Sequence, residues 1–389
     1  MIELPNDWPS PHAASGMIRL AGKSSWKPFK EAFFRTLRPS LETGGMRFRV
    51  IRPFRGRSEP SAKISIMGTS TYVAASHFQK IDEQLRSRSL FKQSVTGVFV
   101  EVSAFCNRKC NFCPNHLGTR LQNHTQLPES IFLSILDDLA CIRYQKTFGF
   151  HLYNEPLADR VVLTRIMQAR RALPRATLLI HTNGDYLDRA YLEDLKDAGL
   201  DRIHISIYGP DNGKFVDEEI IARIRSLVDR LKLDARQSVS SPGCEYMFHG
   251  SCGPLDVGVH ARNYQLEGTN RGELVAAGPV RRRSSPCFSP FENFNVDYRG
   301  NVLPCCNVSS DNPGHRELLQ NNLNDGRSIF EHYSDRPMAR WRRAVFRFSP
   351  EGFPCDTCSR RDFPELESRV NMTDLELLGR ELSATTASA

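Results

Sequence analysis

The chain has 389 residues, 40% hydrophobic and 25% charged, a mixture that excludes a disordered, collagen-like or membrane-embedded protein and leaves room for a large domain with an appended second one. Its excess of 52 basic over 44 acidic side chains, +8 net, is mild and suits an anionic ligand as readily as nucleic acid. No run approaches the roughly 18 apolar residues of a membrane span, and Glu3, Pro5, Asp7 and Pro9 interrupt any secretion-signal core. The expected location is cytoplasmic.

Residues 1 to about 90 suggest a helix over Pro28–Leu37, a strand over Met46–Ile51 and a helix over Val73–Leu85. From Val98 the pattern becomes β-branched runs alternating with amphipathic helices, the mark of βα units and a parallel sheet. Strand Val98–Val102 runs into Cys106. Pro128 opens a helix with the stripe Ile131, Phe132, Ile135, Leu136 and Leu139, spaced for one buried face. Strand Phe148–Leu152 ends at Tyr153-Asn154-Glu155-Pro156, and Val162, Ile166, Ala169 and Leu173 line the next helix. Strand Thr177–Ile180 ends at His181-Thr182-Asn183-Gly184. Asp188 caps a helix that stops at Gly199, strand Ile203–Ile207 follows, and Asp217–Leu231 reads as a helix. Beyond it the pattern blurs into a Gly- and Pro-rich stretch, Ser240–Leu255, with about two further strands around it.

Eleven cysteines in a chain assigned to a reducing compartment point to metal or redox chemistry rather than disulfides. Cys106, Cys110 and Cys113 form C-x3-C-x2-C in one loop at a strand end. Soft thiolates select iron–sulfur clusters or zinc. Three of them on a [4Fe–4S] cube leave one iron open, whereas a zinc knuckle would need completion by His116, or by Cys355 and Cys358. A second group comprises Cys287, Cys305, Cys306, Cys355 and Cys358.

With Phe112 just before the third cysteine, this arrangement resembles the radical SAM superfamily over about Val98–His260. The resemblance implies an α/β fold, a partial (β/α)6 barrel over residues 93–262, with S-adenosyl-L-methionine on the open iron. Asn154-Glu155-Pro156 is similar to the family's G-G-E-P segment, with asparagine in place of glycine; Thr182-Asn183 and Ser206 match further cofactor contacts. The implied chemistry is reductive cleavage of the sulfonium to a 5′-deoxyadenosyl radical, which takes a hydrogen atom from an unactivated C–H, with a flavodoxin or ferredoxin as one-electron donor.

Cys287-x12-Gly300-x4-Cys305 followed by Cys355-x2-Cys358 resembles the SPASM or twitch auxiliary-cluster extension, here residues 263–369 with a 370–389 tail. Four ligands, Cys287, Cys305, Cys355 and Cys358, imply a second, fully ligated [4Fe–4S] cluster for electron transfer. Phe294–Asp297 and Asn301–Pro304 read as a hairpin. Cys306 and Cys141 read as packing residues, Arg281-Arg282-Arg283 as a solvated loop, and Cys244 or Cys252 as a possible hydrogen-atom donor. The leading expectation is an oxidoreductase or epimerase acting on a carbinol C–H of an aminocyclitol, sugar or aminoglycoside. A peptide-modifying enzyme gripping a leader with residues 1–92 is the second reading, and a non-enzymatic zinc protein the third. Nucleic acid is not expected, because RNA-modifying methylthiotransferases carry three extra cysteines before the signature.

Overall fold

The computed structural model describes residues 73–209, 214–278, 287–319, 321–346, 354, 355 and 358. The Pro28–Leu37 helix, the Met46–Ile51 strand, the Arg281–Arg283 run and the 370–389 tail lie outside them. After helix α1 (Gln84–Ser94), four strand–helix steps follow: β1 (Gly97–Val100), α2 (Glu129–Cys141), β2 (Thr147–Gly149), α3 (Val161–Ala172), β3 (Thr177–Thr182), α4 (Arg189–Asp197), β4 (Arg202–Ile207) and α5 (Asp217–Leu231). The four strands pair in parallel, in order. Each helix buries the stripe its spacing promised, Ile131 to Leu139 on α2 and Val162, Ile166 and Ala169 on α3.

The segment that read as irregular is instead a meander of β5 (Arg236–Ser241), β6 (Glu245–Cys252) and β7 (Leu255–Arg262), antiparallel throughout. Its turns place Gly243 and Gly253 at positive φ, and β7 runs parallel to β4. The meander therefore occupies the place of further βα units, leaving an open, parallel-rich α/β sheet consistent with a partial barrel.

At the other edge, β8 (Asn293–Val296) pairs in parallel with β1 and turns through Gly300, φ +81°, into antiparallel β9 (Val302–Leu303). The expected hairpin is present, and it extends the main sheet into one surface of nine strands. Helices α6 (Ile329–Tyr333) and α7 (Arg336–Phe346) return toward α1. There the buried Arg342 lies over the Tyr333 ring and donates to the Tyr333 carbonyl at 2.8 Å.

The helix expected over Val73–Leu85 is a 3-10 turn, Ala75–Phe78, with α1 starting only at Gln84. The His77 ring closes that turn by accepting from the Ala74 amide at 3.0 Å, while Nε2 engages Ser94 at 2.8 Å. Ile81 then donates its amide to the Ser334 carbonyl, which draws the chain out of helical register. Cys141, read as a packing residue, is exposed, because the buried stripe of α2 faces away from it.

Candidate functional site

The carboxyl ends of β1–β4 gather the expected motifs. The cysteine loop curls on itself: the Cys113 amide donates to the Cys110 carbonyl at 3.0 Å, and His116 Nδ1 pairs with the Cys113 carbonyl at 2.7 Å. Burial pushes the Cys106 thiol up to about 11, with Glu155 and Cys113 adding to the rise. Burial likewise raises Cys113, against the pull of Arg271. A cationic iron–sulfur core reverses such a penalty, since a coordinating thiol gives up its proton to the metal. The donor set thus suits a cluster bound through Cys106, Cys110 and Cys113. Among the described residues, no three His, Cys, Asp or Glu side chains are gathered closely enough to hold a single metal ion; thiolates on the corners of a cube stand farther apart than those around one ion.

Glu155 is 2% exposed. Its Oε1 accepts from Thr182 Oγ1 at 2.6 Å and from the Leu157 amide at 3.0 Å, and its Oε2 from the Asn183 amide at 2.7 Å. Burial pushes this carboxyl up to about 7, with those three donors pulling it back. Glu155 thereby knots the end of β2 to the Thr182-Asn183-Gly184 turn, and its amide donates to the Phe105 carbonyl at the start of the cysteine loop. Pro156 opens a 3-10 turn capped by Glu155, and Asn154, also buried, accepts from the Leu152 amide. Asn183 Nδ2 reaches Asn107 Oδ1 at 2.8 Å, and Asp185 takes Asn107 and Arg108. The turn after β3 therefore clamps the cysteine loop through hydrogen bonds.

Phe112 stacks on Tyr264 at 4.0 Å between centroids and meets Tyr208 at 5.1 Å. These rings, with Arg108, Cys110 and Arg262, line a cavity of about 310 Å³ beside the thiol loop. Ser206, two residues before Tyr208, lies on the face of β4 opposite the helices. The sequence reading found Phe112 but missed Tyr208 and Tyr264, which lie beyond the cysteine motif and are brought to it only by folding.

That same concave face carries a row of imidazoles. His151 stacks on His181 at 4.2 Å and His181 on His204 at 4.9 Å. Gly258 lies across from His204 in the β4–β7 register, where an added Cβ would meet the His204 ring at 3.6 Å. His260, one layer nearer the cysteine loop and level with Ser206, pairs through Nε2 with Glu245 Oε1 at 2.6 Å. Burial lowers all four, His181 to about 3; neighbouring imidazoles add to the fall at His151, His181 and His204, and Arg262 adds to it at His260.

The two thiols considered as hydrogen-atom donors part company. Cys244 lies in the β5–β6 turn, next to Glu245 at the cysteine-loop edge. Cys252 ends β6 at the opposite edge, paired with Leu255, and packs on the helix side near Glu193 of α4. Seven strand steps, roughly 23 Å at the usual rise, separate it from Glu245.

The second thiol group also assembles. Cys305 is half-buried, and its thiol is raised first by desolvation and then by Cys306, Cys355, Cys287 and Cys358 around it. Asn307 faces this group, its amide 3.4 Å from Cys305 Sγ and its Nδ2 3.7 Å from Cys358 Sγ. Cys306, read as a bystander, bears instead on Tyr153 and Arg271. Arg271 is the link that no motif announced: held by Asn307 at 2.9 Å, it feels both Cys113 and Cys306.

A buried charge network binds the two halves. Arg120, just past the cysteine loop, holds Glu101 after β1 and Asp311 beyond β9. Glu101 also accepts the Tyr153 amide at 2.9 Å, and Tyr298 donates to Asp311 at 2.8 Å.

Residues 100–233 match the radical SAM superfamily. The chain is 25% identical over 207 residues to the S-adenosyl-L-methionine-dependent 2-deoxy-scyllo-inosamine dehydrogenase of Niallia circulans, covering 53% of this chain and 71% of the relative. It is 28% identical over 153 residues to the GTP 3′,8-cyclase of Chlorobaculum tepidum, covering 38% of this chain but 44% of that relative. Among solved structures, BtrN in complex with AdoMet and 2-DOIA superposes with a TM-score of 0.50 at 20% identity, covering 68% of this chain and 93% of that one; at that identity the likeness speaks to the fold. The three-cysteine loop at the end of β1 and the turns at the ends of β2 and β3 fall within residues 100–233, so this part of the chain is a radical SAM domain.

Proposed function

We propose that this enzyme oxidises a carbinol C–H of an aminocyclitol, sugar or aminoglycoside to the ketone. Residues 93–262 hold S-adenosyl-L-methionine on the cluster of Cys106, Cys110 and Cys113; residues 263–369 hold a second cluster on Cys287, Cys305, Cys355 and Cys358. When bound, the cofactor pair supplies a carbon radical that takes a hydrogen atom, and a flavodoxin- or ferredoxin-like donor supplies the electron. Phe112, Tyr208 and Tyr264 offer apolar faces for the adenine. Asn154, Glu155, Pro156, Thr182, Asn183 and Ser206 shape the strand ends on which the rest of the cofactor lies.

The observation that carries the oxidative reading is a chain of contacts: Arg271, which lowers Cys113 of the first thiol loop, donates to Asn307 at 2.9 Å, and Asn307 lies 3.4 Å from Cys305 Sγ and 3.7 Å from Cys358 Sγ of the second group. An alcohol that loses a hydrogen atom and a proton still has one electron to give up, and a redox group close to the first site takes it. Epimerisation needs no such sink but does need a thiol at the radical. Cys244, in the turn next to Glu245, would serve that role better than Cys252, which lies on the far edge and the helix side. The relative named as an inosamine dehydrogenase supports the same substrate class.

The test is anaerobic incubation with dithionite, S-adenosyl-L-methionine and 2-deoxy-scyllo-inosamine deuterated at its carbinol carbons. Deuterated 5′-deoxyadenosine with a ketone is the expected result. An inverted alcohol without ketone would establish epimerisation, and no deuterium transfer from this or any other aminocyclitol, sugar or aminoglycoside would end the proposal.

A further inference from the structure

We propose that His260, oriented by Glu245, is the catalytic base that takes the hydroxyl proton of the carbinol during oxidation, a role that rests on the reading given above. The alternation of β7 turns Val257, Val259 and Ala261 into the core and leaves Gly258, His260 and Arg262 on the opposite, concave face. His260 is level with Ser206 of β4, and two residues beyond Ser206 is Tyr208, whose ring meets Phe112 beside Cys113. The imidazole therefore stands on the open face, one short step from the aromatic rings of the cysteine loop.

Its hydrogen bonding sets its polarity. Nε2 is 2.6 Å from Glu245 Oε1, and since a carboxylate accepts, Nε2 carries the hydrogen. Nδ1 is then the lone-pair nitrogen, with no hydrogen-bond partner among the described residues. A carboxylate behind an imidazole fixes its tautomer and steadies the imidazolium that forms, the logic of the catalytic triad. The other imidazoles of the row lack this arrangement. His151 already accepts the His181 amide on Nδ1 at 3.1 Å, and no hydrogen bond among the described residues ties His181 or His204 to a carboxylate. The charged and titratable groups facing His260 are His181 from β3, His204 from β4, Glu245 from β6 and Arg262 from its own strand. Three of these disfavour a second positive charge, and Glu245 alone compensates it.

The balance closes. The carbinol C–H bond breaks as its hydrogen atom passes to the 5′ carbon of the cofactor's adenosyl group; the O–H bond breaks as its proton passes to His260 Nδ1. An oxidised iron–sulfur group held by Cys287, Cys305, Cys355 and Cys358 would accept the remaining electron as the C=O bond forms. The imidazolium returns its proton to water through the open face of the sheet.

The test uses the full-length, cluster-loaded enzyme and carbinol-deuterated 2-deoxy-scyllo-inosamine, comparing wild type with His260→Asn and Glu245→Gln. The expected result is a loss of ketone formation of about 100-fold or more in His260→Asn, the range of general-base catalysis. Deuterium transfer into 5′-deoxyadenosine persists in the same samples, which shows the variant folded and loaded. In the apoprotein, nitrogen-15 spectra are expected to show His260 as the Nε2–H tautomer, lost in Glu245→Gln. Ketone formation at the wild-type rate in His260→Asn, or an Nδ1–H tautomer in the apoprotein, overturns the role of His260 while leaving the oxidative reading standing. A wild-type enzyme that moves no deuterium from any aminocyclitol, sugar or aminoglycoside overturns both.

Discussion

Glu101 accepts two hydrogen bonds from the guanidinium of Arg120, at 2.5 and 3.1 Å, where neither side chain meets bulk water. Burial raises the Glu101 carboxyl and Arg120 opposes the rise. Removing one partner strands the other, so Glu101→Ala or Arg120→Ala is expected to cost about 3–5 kcal/mol each. The double variant Glu101→Ala/Arg120→Ala should cost less than their sum. Urea unfolding of the four proteins reads this cycle directly; additive losses would show that the pair is not coupled.

Gly184 carries a φ of +75°, and an added Cβ would meet Ile205 Cγ2 at 2.6 Å. Gly184→Ala should lower stability by about 1–3 kcal/mol from backbone strain and the clash, with a matching fall in Tm. The turn also clamps the cysteine loop, so iron retention after gel filtration should fall with it.

The motifs that carry this clamp were legible in sequence because they are local. Cys106 to Cys113 lie on one loop, Glu155-Pro156 and Thr182-Asn183 each end a strand, and hydrophobic spacing placed those strands and their helices. What escaped depends on distant pairing. Arg120 and Asp311 are 191 positions apart, and Arg271 sits in an irregular segment with no flanking pattern. Glu101 was the readable hint, a lone charge inside Val98-Phe99-Val100-Glu101-Val102. β5 was lost because it faces solvent along nearly its whole length, so no alternation marked it. The hairpin of β8 and β9 was foreseen, but its docking on β1 was not, since pairing order leaves no trace in local composition.

Acid should weaken the protein through the imidazole row. His181 is lowered to about 3, first by burial and then by His204 and His260. Its folded value thus lies below the unfolded one near 6.5, and the unfolded chain binds the extra proton between those limits. Stability from this group is therefore complete above about pH 6.5 and lost as pH falls toward about 3. The desolvation comes from the rings of His151 and His204 stacked on either side, while the residue keeps an open edge to water, so solvent screening moderates the effect. His181→Gln should flatten the slope of unfolding free energy across that interval, and an unchanged slope would remove His181 as its source.

The two thiol groups should separate by function. Alanine at Cys106, Cys110 or Cys113 should abolish 5′-deoxyadenosine formation. Alanine at Cys305 or Cys358 should lower iron by roughly half, as expected for losing one of two clusters. Deuterium transfer should continue in those variants while ketone formation collapses. Iron and sulfide analysis with product mass spectrometry decides it.

Phe112→Ala should weaken binding of S-adenosyl-L-methionine to the cluster-loaded protein by about fivefold to tenfold, consistent with losing one stacked aromatic contact of about 1 kcal/mol. Equilibrium dialysis measures it, and an unchanged Kd would place the adenine elsewhere.

The pairing of β8 with β1 ties the segments that lead to the two thiol groups into one sheet. The chain leading from Cys287 joins the sheet edge that also launches the loop of Cys106, and the hairpin that follows runs into Cys305. Electron tunnelling falls off exponentially with separation, so a flexible joint between two redox centres would make their exchange erratic. Were both groups to hold clusters, the β1–β8 ladder would steady the separation between them, because thermal motion does not change strand register without breaking the ladder.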